Sequence, residues 1–342
     1  MSSVQETYLK GIADAIREKE GSTDTIQASK FAERIASLSG RRMIKWNKAI
    51  INSSGSSKTL TSVACNGTRL VAVATNNTNI AIYADCDNPD KWYETTLPNS
   101  GYWTSVTYGN DKFVAVASNI VPGVTGGSNI AAYSSDGITW HVANLPVAKY
   151  WESVTYGNDK FVAVAENSDV GIYSLDGITW QQSVMPNAQW GGVTYGKDKF
   201  VAVSGTYGTS TIGAYSFDGV NWTQITFSSA KQRTAICYGN GRFVTAGLNT
   251  YYVDYSEDGV TWKSSSSTLP GTPTGFVYAD GLFVAASYDS PCCSLSYDGI
   301  TWVGCTVTNF SPRFYDVTYT NGHFVMVSSQ GYVYFSEYIV PN

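Results

Sequence analysis

The stretch SVTYGNDKFVAVAS, residues 105–118, decides the fold because the chain keeps returning to it. Further copies read SVTYGNDKFVAVAE (153–166), GVTYGKDKFVAVSG (192–205), AICYGNGRFVTAGL (235–248), GFVYADGLFVAASY (275–288) and DVTYTNGHFVMVSS (316–329). A weaker copy, SVACNGTRLVAVAT (62–75), precedes them. A period of about 40 residues is the length of one β-propeller blade. Within a copy, Ser105–Tyr108 reads as one strand and Phe113–Ala117 as the next, with a turn at Asn110-Asp111. The second strand is apolar without alternation, so both of its faces are covered, as blades packed side by side require. Ile130–Ser134 supplies a third strand, and a fourth begins at Thr139-Trp140.

Counting the strands predicts how the ring closes. The first three strands of the repeat occur seven times, but the tryptophan of the fourth follows only six times, as Trp92, Trp140, Trp180, Trp222, Trp262 and Trp302. The last copy ends at Tyr334-Phe335-Ser336-Glu337 without one. Ile44-Lys45-Trp46-Asn47, ahead of the first copy, supplies the missing strand. The expected fold is all-β: a seven-bladed propeller over residues 43–342 whose last blade is closed by an N-terminal strand. Such a clasp leaves no open sheet edge between first and last blades.

Residues 1–40 follow a different rule. Ser3-x-x-Glu6 reads as a capping box. Val4, Leu9, Ile12, Ala13 and Ile16 then recur at helical spacing, and Gly21-Ser22-Thr23-Asp24 stops the helix. Ser29 caps a second helix with Phe31, Ile35 and Leu38 on one side. A helical hairpin of this size buries too little surface to stand alone. It is expected to dock on its own copies, on the propeller or on a partner, as an attachment or oligomerisation module.

Bulk composition excludes several classes. Of 342 residues 14% are charged and 14% aromatic, as many short strands joined by turns demand. There is no apolar run long enough to span a membrane and no basic-then-apolar leader. Residues 1–44 carry 7 Lys+Arg against 6 Asp+Glu, and the remainder 15 against 21. An acidic propeller is a poor partner for nucleic acid or anionic lipid. The six cysteines show no C-x-x-C spacing. Cys292 and Cys305 face each other if Asp298-Gly299 forms a two-residue turn.

The hairpins Ser134–Trp140, Ser174–Trp180, Ser216–Trp222, Ser256–Trp262 and Ser296–Trp302 resemble the Asp-box (BNR) repeat, S-x-D-x-G-x-T-W, shortened by one residue. The resemblance implies a structural turn. The residues agree, with Asp capping the turn, Gly taking positive φ and Trp anchoring the strand. The first hairpin departs, with Asp85, Asp87 and Asp90; it lacks the glycine and glutamate of a calcium loop and reads as a longer hairpin. The segment YLKGIADAIREKEGSTDTIQASKFAERIASL and the repeat itself resemble tail and receptor-binding proteins of phages and prophages of gut Firmicutes. That resemblance implies a virion protein made without a signal peptide. Residues 1–40 would contact other tail subunits or self-associate, and the propeller would engage a host surface glycan or protein. Similar repeats also occur in bacterial surface and secreted proteins.

Asp-box propellers include sialidases, whose chemistry needs three converging arginines, a Tyr–Glu pair and an acid. The propeller offers Arg69 and Arg242 in turns between first and second strands, and Arg233 and Arg313 in loops on the other face. Two on each face cannot build the triad. His141 and His323 lie in different blades without metal-ligand spacing, and no G-x-S-x-G, H-E-x-x-H or P-loop occurs. The expectation is a non-enzymatic protein with no cofactor and no metal. A structural tail protein and a sialidase-like hydrolase are the alternatives.

Function is expected where the loops vary: Ser118–Asn129 is long, Gly205–Thr211 medium and Ser329-Gln330-Gly331 minimal, all on one face. At one repeat position on that face stand Leu60, Trp103, Trp151, Trp190, Arg233, Pro273 and Phe314. Tyr102 and Tyr150 adjoin two of the tryptophans, and Arg313 and Tyr315 flank Phe314. One reading is a crown of rings at the channel mouth, suited to stacking on sugars. The other is a set of repeat-consensus wedges between blades. Candidate ligand-binding residues are Tyr102, Trp103, Tyr150, Trp151, Trp190, Arg233, Arg313, Phe314 and Tyr315.

Overall fold

The computed structural model describes residues 43–52, 58–119, 126–205, 208–247, 251–269, 271–289, 293–305, 307 and 313–339. The helical hairpin expected over 1–40 lies outside the described residues. Contacts divide the chain into Asn47–Phe335 and a second unit of Met1–Trp46 with Ser336–Asn342.

The described strands follow the repeat. After β1 (Met43–Lys48) and β2 (Ile50–Asn52), blade one comprises β3 (Leu60–Cys65), β4 (Arg69–Ala74), β5 (Thr78–Asp85) and the first half of β6 (Lys91–Gly109). The second half of β6 opens blade two, with β7 (Lys112–Asn119), β8 (Ser128–Ser134) and β9 (His141–Lys149). Blade three holds β10 (Trp151–Gly157), β11 (Lys160–Ala165), β12 (Ser168–Ser174) and β13 (Gln181–Ala188). Blade four holds β14 (Trp190–Gly196), β15 (Lys199–Ser204), β16 (Ser210–Ser216) and β17 (Thr223–Lys231). Blade five holds β18 (Ala235–Gly239), β19 (Arg242–Ala246), β20 (Tyr252–Ser256) and β21 (Lys263–Thr268). Blade six holds β22 (Pro273–Ala279), β23 (Leu282–Ser287), β24 (Cys293–Ser296) and β25 (Val303–Cys305). In blade seven the order is β26 (Phe314–Thr320), β27 (His323–Ser328), β28 (Val333–Ile339) and then β1, the N-terminal strand that the tryptophan count required. The Ala49 N–H continues along that edge to the Val333 carbonyl at 2.9 Å.

Two features depart from the sequence reading. β6 runs unbroken from the edge of blade one into the centre of blade two, where separate strands were expected. β2 adds a parallel edge to blade one, pairing Ile51 with Trp92. The chain thus passes from the outer strand of the last blade to the outer edge of the first.

Neighbouring inner strands are held at several seams by two partial rings of hydroxyls. Thr61, Thr104 and Thr274 donate to the carbonyls of Trp103, Trp151 and Phe314 in the next blade, at 2.7–2.8 Å. Ser62, Ser105 and Ser153 accept from the N–H groups of Val106, Val154 and Val193 at 3.1–3.2 Å. At the closing seam Asp316 takes that place, accepting from Val63 N at 3.0 Å and Ser62 Oγ at 2.8 Å. Between the rings and the outer strands lies the apolar layer. Phe113, Val114, Ala115, Val116 and Ala117 are fully buried, as are Phe161–Ala165. Both faces of these second strands are therefore covered, as their unbroken apolar runs predicted.

At four seams a Tyr-Gly pair of the repeat sets the blade spacing. A Cβ on Gly109, Gly157, Gly196 or Gly239 would stand 2.0–2.1 Å from the ring of Tyr156, Tyr195, Tyr238 or Tyr278 in the following blade. Each ring also packs on the phenylalanine of its own second strand, as Tyr156 does on Phe161 at 4.8 Å.

The hairpins behave as turns. Asp136 Oδ1 accepts from the N–H groups of Ile138 and Thr139 at 2.8 and 2.7 Å, and Gly137 has φ 74°. Burial works against ionisation at Asp258, but the N–H donors of Thr261 and Val260 outweigh it and hold the carboxyl near 2. This turn corrects the cysteine reading. Asp298 accepts from Ile300 and Thr301, so the loop is not a two-residue turn at Asp298-Gly299. The register shifts by one, pairing Leu295 with Val303 and Cys293 with Cys305. The disulfide joins Cys293 and Cys305, with Cα atoms 5.2 Å apart, in place of Cys292 and Cys305.

Gly157→Ala should destabilise the fold by about 1–3 kcal/mol or more, since its methyl group meets the Tyr195 ring. In a double-mutant cycle with Tyr195→Ala the two costs should fall short of additive, because removing the ring removes the clash. Additive losses in denaturant melts would show that the Tyr-Gly contact does not set the spacing.

Candidate functional site

All seven inner strands line one central cavity of about 140 Å³. Its wall is mostly hydroxyl and backbone, including Thr61, Ser62, Thr104 and Ser105. Three side chains break this pattern: Glu152 and Tyr315 stand where other inner strands place threonine, and Asp316 where others place serine. Those departures from the repeat are the signal by which Glu152 and Asp316 could have been found in the sequence.

The two carboxyl groups differ in kind. Asp316 is tied into the closing seam by Ser62 and Val63, and burial pushes its carboxyl up to about 6 against those hydrogen bonds. Burial pushes Glu152 further, to about 8, with the charge of Glu166 adding to the effect. Glu152 is therefore largely uncharged at neutral pH, and the cavity carries less negative charge than its composition suggests.

The tryptophans expected at the channel mouth are wedges. Trp103, Trp151, Trp190 and Phe314 are fully buried, which corrects their reading as exposed stacking platforms. The Trp151 indole donates to Ser128 O at 2.9 Å, and that of Trp190 to Ser168 O at 3.1 Å and Pro186 O at 3.2 Å. Their repetition at one blade position has a packing cause: each ring fills the gap between a bulged third strand and the next inner strand.

Arg233 is the same wedge in another chemistry. It is 1% exposed. Its guanidinium donates to Ser210 O and Ser229 O at 2.8 and 2.9 Å, the counterparts of the two carbonyls that Trp190 uses. It lies over the Phe227 ring at 3.7 Å. The charge that an indole would not bring is met by Asp254, 2.6 Å from one terminal nitrogen and 2.8 Å from Nε. Asp254 also binds Lys231 at 2.7 Å and Ser264 at 2.5 Å. Arg233 is thus part of the scaffold and out of reach of a ligand.

Four sequence candidates remain open to solvent. Arg313 is exposed, and Tyr102, Tyr150 and Tyr315 are half-buried. The fold brings two of them together with a residue the repeat did not flag. Arg313 donates to the Tyr288 hydroxyl at 2.7 Å and lies over its ring at 4.6 Å. The Tyr288 ring meets that of Tyr315 edge-on at 6.0 Å. Burial, and then Tyr288, raise the Tyr315 phenol. Tyr315 also lines the cavity, so the cluster sits at its rim. Tyr288 belongs to a variable loop, where one repeat says nothing about the next. Tyr150 accepts instead from the Gly126 N–H at 3.1 Å.

On the opposite face Arg69 pairs with Asp85 at 3.3 Å, and Arg242 with Glu257 at 3.6 Å. Asp87 accepts from Asn321 at 2.6 Å, so this acidic hairpin is used in turn and interblade contacts. Neither His141 nor His323 lines the cavity.

No family model and no curated protein matches the chain. Solved structures do. Virginiamycin B lyase from Staphylococcus aureus superposes with a TM-score of 0.74 at 10% identity, covering 86% of this chain and 99% of that one. Ycf48 bound to D1 peptide gives 0.65 at 14% identity, covering 86% and 95%. Ycf48 from Cyanidioschyzon merolae gives 0.64 at 13%, covering 85% and 98%. At such identities the likeness is one of fold, and that fold is the β-propeller.

Asp254→Ala should cost about 3–5 kcal/mol, because it leaves the Arg233 charge buried and unpaired; a loss under about 1 kcal/mol in urea melts would contradict the wedge. Glu152 makes a separate prediction. Its folded carboxyl titrates near 8 against a reference of 4.5, so its contribution to stability is full below 4.5 and is lost as pH rises through about 8. Glu152→Gln should remove that loss, and its Tm should gain on the wild type between pH 5 and pH 9. Parallel Tm profiles would refute the buried carboxyl.

Proposed function

We propose that this chain is a non-enzymatic recognition module: a phage tail receptor-binding protein whose propeller engages a host surface glycan or protein. The observation that carries the reading is the Tyr288–Arg313–Tyr315 cluster at the cavity rim, on the face where loop length varies. Tyrosine edges and an arginine plane can stack on a sugar ring and hydrogen-bond its hydroxyls. The rigid ring below holds them in place. The N-terminal resemblance to tail proteins supplies the setting, with residues 1–40 as the attachment to other tail subunits. Ycf48, alike in fold, is bound to a peptide, so a protein receptor stays within the proposal.

A second reading, a structural tail protein, rests on the other face. Leu175 and Phe217, at the tips of two hairpins, are each 61% exposed. Two neighbouring apolar hairpin tips suit a contact with another subunit.

Labelled full-length protein should bind intact host cells and lose that binding when wall polysaccharide is stripped, if the receptor is a glycan. Arg313→Ala with Tyr315→Ala should reduce binding at least about tenfold, the effect of losing roughly 1.4 kcal/mol of contact. Unchanged binding in that variant, or release of reducing sugar from the wall by the wild type, would overturn the proposal. Loss of tail incorporation on Phe217→Ser, with no cell binding by any form, would favour the structural reading.

A further inference from the structure

The seam between the last and first blades lacks both partners of the Tyr-Gly pair. Cys65 stands at the tyrosine position of the repeat, and Thr320 at the glycine position of the blade before it. Other seams keep the tyrosine even where Asn66 or Ala279 takes the glycine position, so a cysteine in place of the ring is particular to this seam. Against Cys65 stands the thiol of Cys86, from the first blade's hairpin. Cys86 is fully buried, and its Sγ lies 3.1 Å from that of half-buried Cys65. The Gly67 N–H points at Cys65 Sγ from 3.1 Å, and Thr320 neighbours both sulfurs.

We propose that Cys65 and Cys86 are a disulfide-forming pair, oxidised by a low-molecular-weight disulfide, that staples the first blade at the seam where the ring closes. The turn that follows Cys65 and the hairpin at Cys86 are tied by the backbone, since Cys86 N donates to Thr68 O at 2.9 Å. Closing the bond to its ordinary length of about 2 Å needs only a small approach of two side chains.

The two thiols have different parts. Contact with Cys86 pulls the Cys65 thiol down to about 6, against burial, and Thr320 and the Gly67 N–H act in the same sense. Contact with Cys65 and burial raise Cys86. Cys65 is therefore the accessible nucleophile. Its thiolate attacks one sulfur of the small disulfide, forming a mixed disulfide and expelling one thiolate. Cys86 then attacks Cys65 Sγ, expelling the second, and the departing thiolates take up the two thiol protons. The cysteine pair is oxidised, and the small disulfide is reduced to two thiols.

Full-length protein incubated with oxidised glutathione, then unfolded, alkylated and digested, should yield a linked peptide pair joining Cys65 to Cys86. The Cys293–Cys305 pair in the same digest serves as the reference for a formed bond. Cys86→Ser should instead retain glutathione on Cys65, because the resolving thiol is gone. Cys65→Ser should take up none at Cys86. Recovery of both cysteines as separate alkylated peptides from the wild type would overturn the proposal, and so would a link from Cys65 to any other cysteine. Should a variant lose its folded near-ultraviolet signal, the wild-type peptide map alone decides.

Discussion

At four of the seven seams a glycine at the end of one inner strand lets the tyrosine ring of the next blade approach to where a Cβ would sit, and this contact sets the distance between those blades. Inner-strand hydroxyls bridge the same seams: a threonine reaches the next blade's carbonyl at 2.7 Å, and a serine accepts its N–H at 3.2 Å. The tryptophan wedges and the apolar second strands are fully buried between the blades. The places where the repeat departs from its consensus are then informative. Arg233 keeps a wedge's hydrogen bonds but needs a buried carboxylate, and Asp316 replaces a serine at the seam.

Much of this was legible in the sequence because the repeat is a packing rule written several times. The strand order, the fully covered second strands and the need for residues 44–47 to complete the last blade all follow from counting. The turn register did not, because Asp298 lengthens the hairpin by side-chain hydrogen bonds that spacing alone does not reveal, and Cys293 rather than Cys292 meets Cys305. β2 was likewise silent, since three residues carry no periodicity.

The candidate site was read less well than the fold, for a physical reason. Repetition at one position means a shared environment, and a shared environment inside a ring of blades is a buried one. Trp103, Trp151 and Trp190 were conspicuous because they recur, and they recur because they pack. Of the residues left for a ligand, Arg313 and Tyr288 lie in loops of unequal length, and Tyr315 departs from the threonine of its strand position. Glu152 and Asp316 were visible only as exceptions to the threonine and serine pattern. Function on a repeat scaffold is to be sought in what is not repeated.

The two faces of the ring are chemically unlike. One carries aromatic phenols and an arginine at the rim of a hydroxyl-lined cavity, and the other carries hairpin tips with Leu175 and Phe217 exposed. The central functional claim is that recognition belongs to the first. Hydrogen exchange of the full-length protein, followed by mass spectrometry with and without isolated host wall polysaccharide, tests it directly. Protection confined to segments around residues 102, 150, 288 and 313–315 is the expected result. Protection at the hairpin tips, or nowhere while binding is saturated, would contradict it.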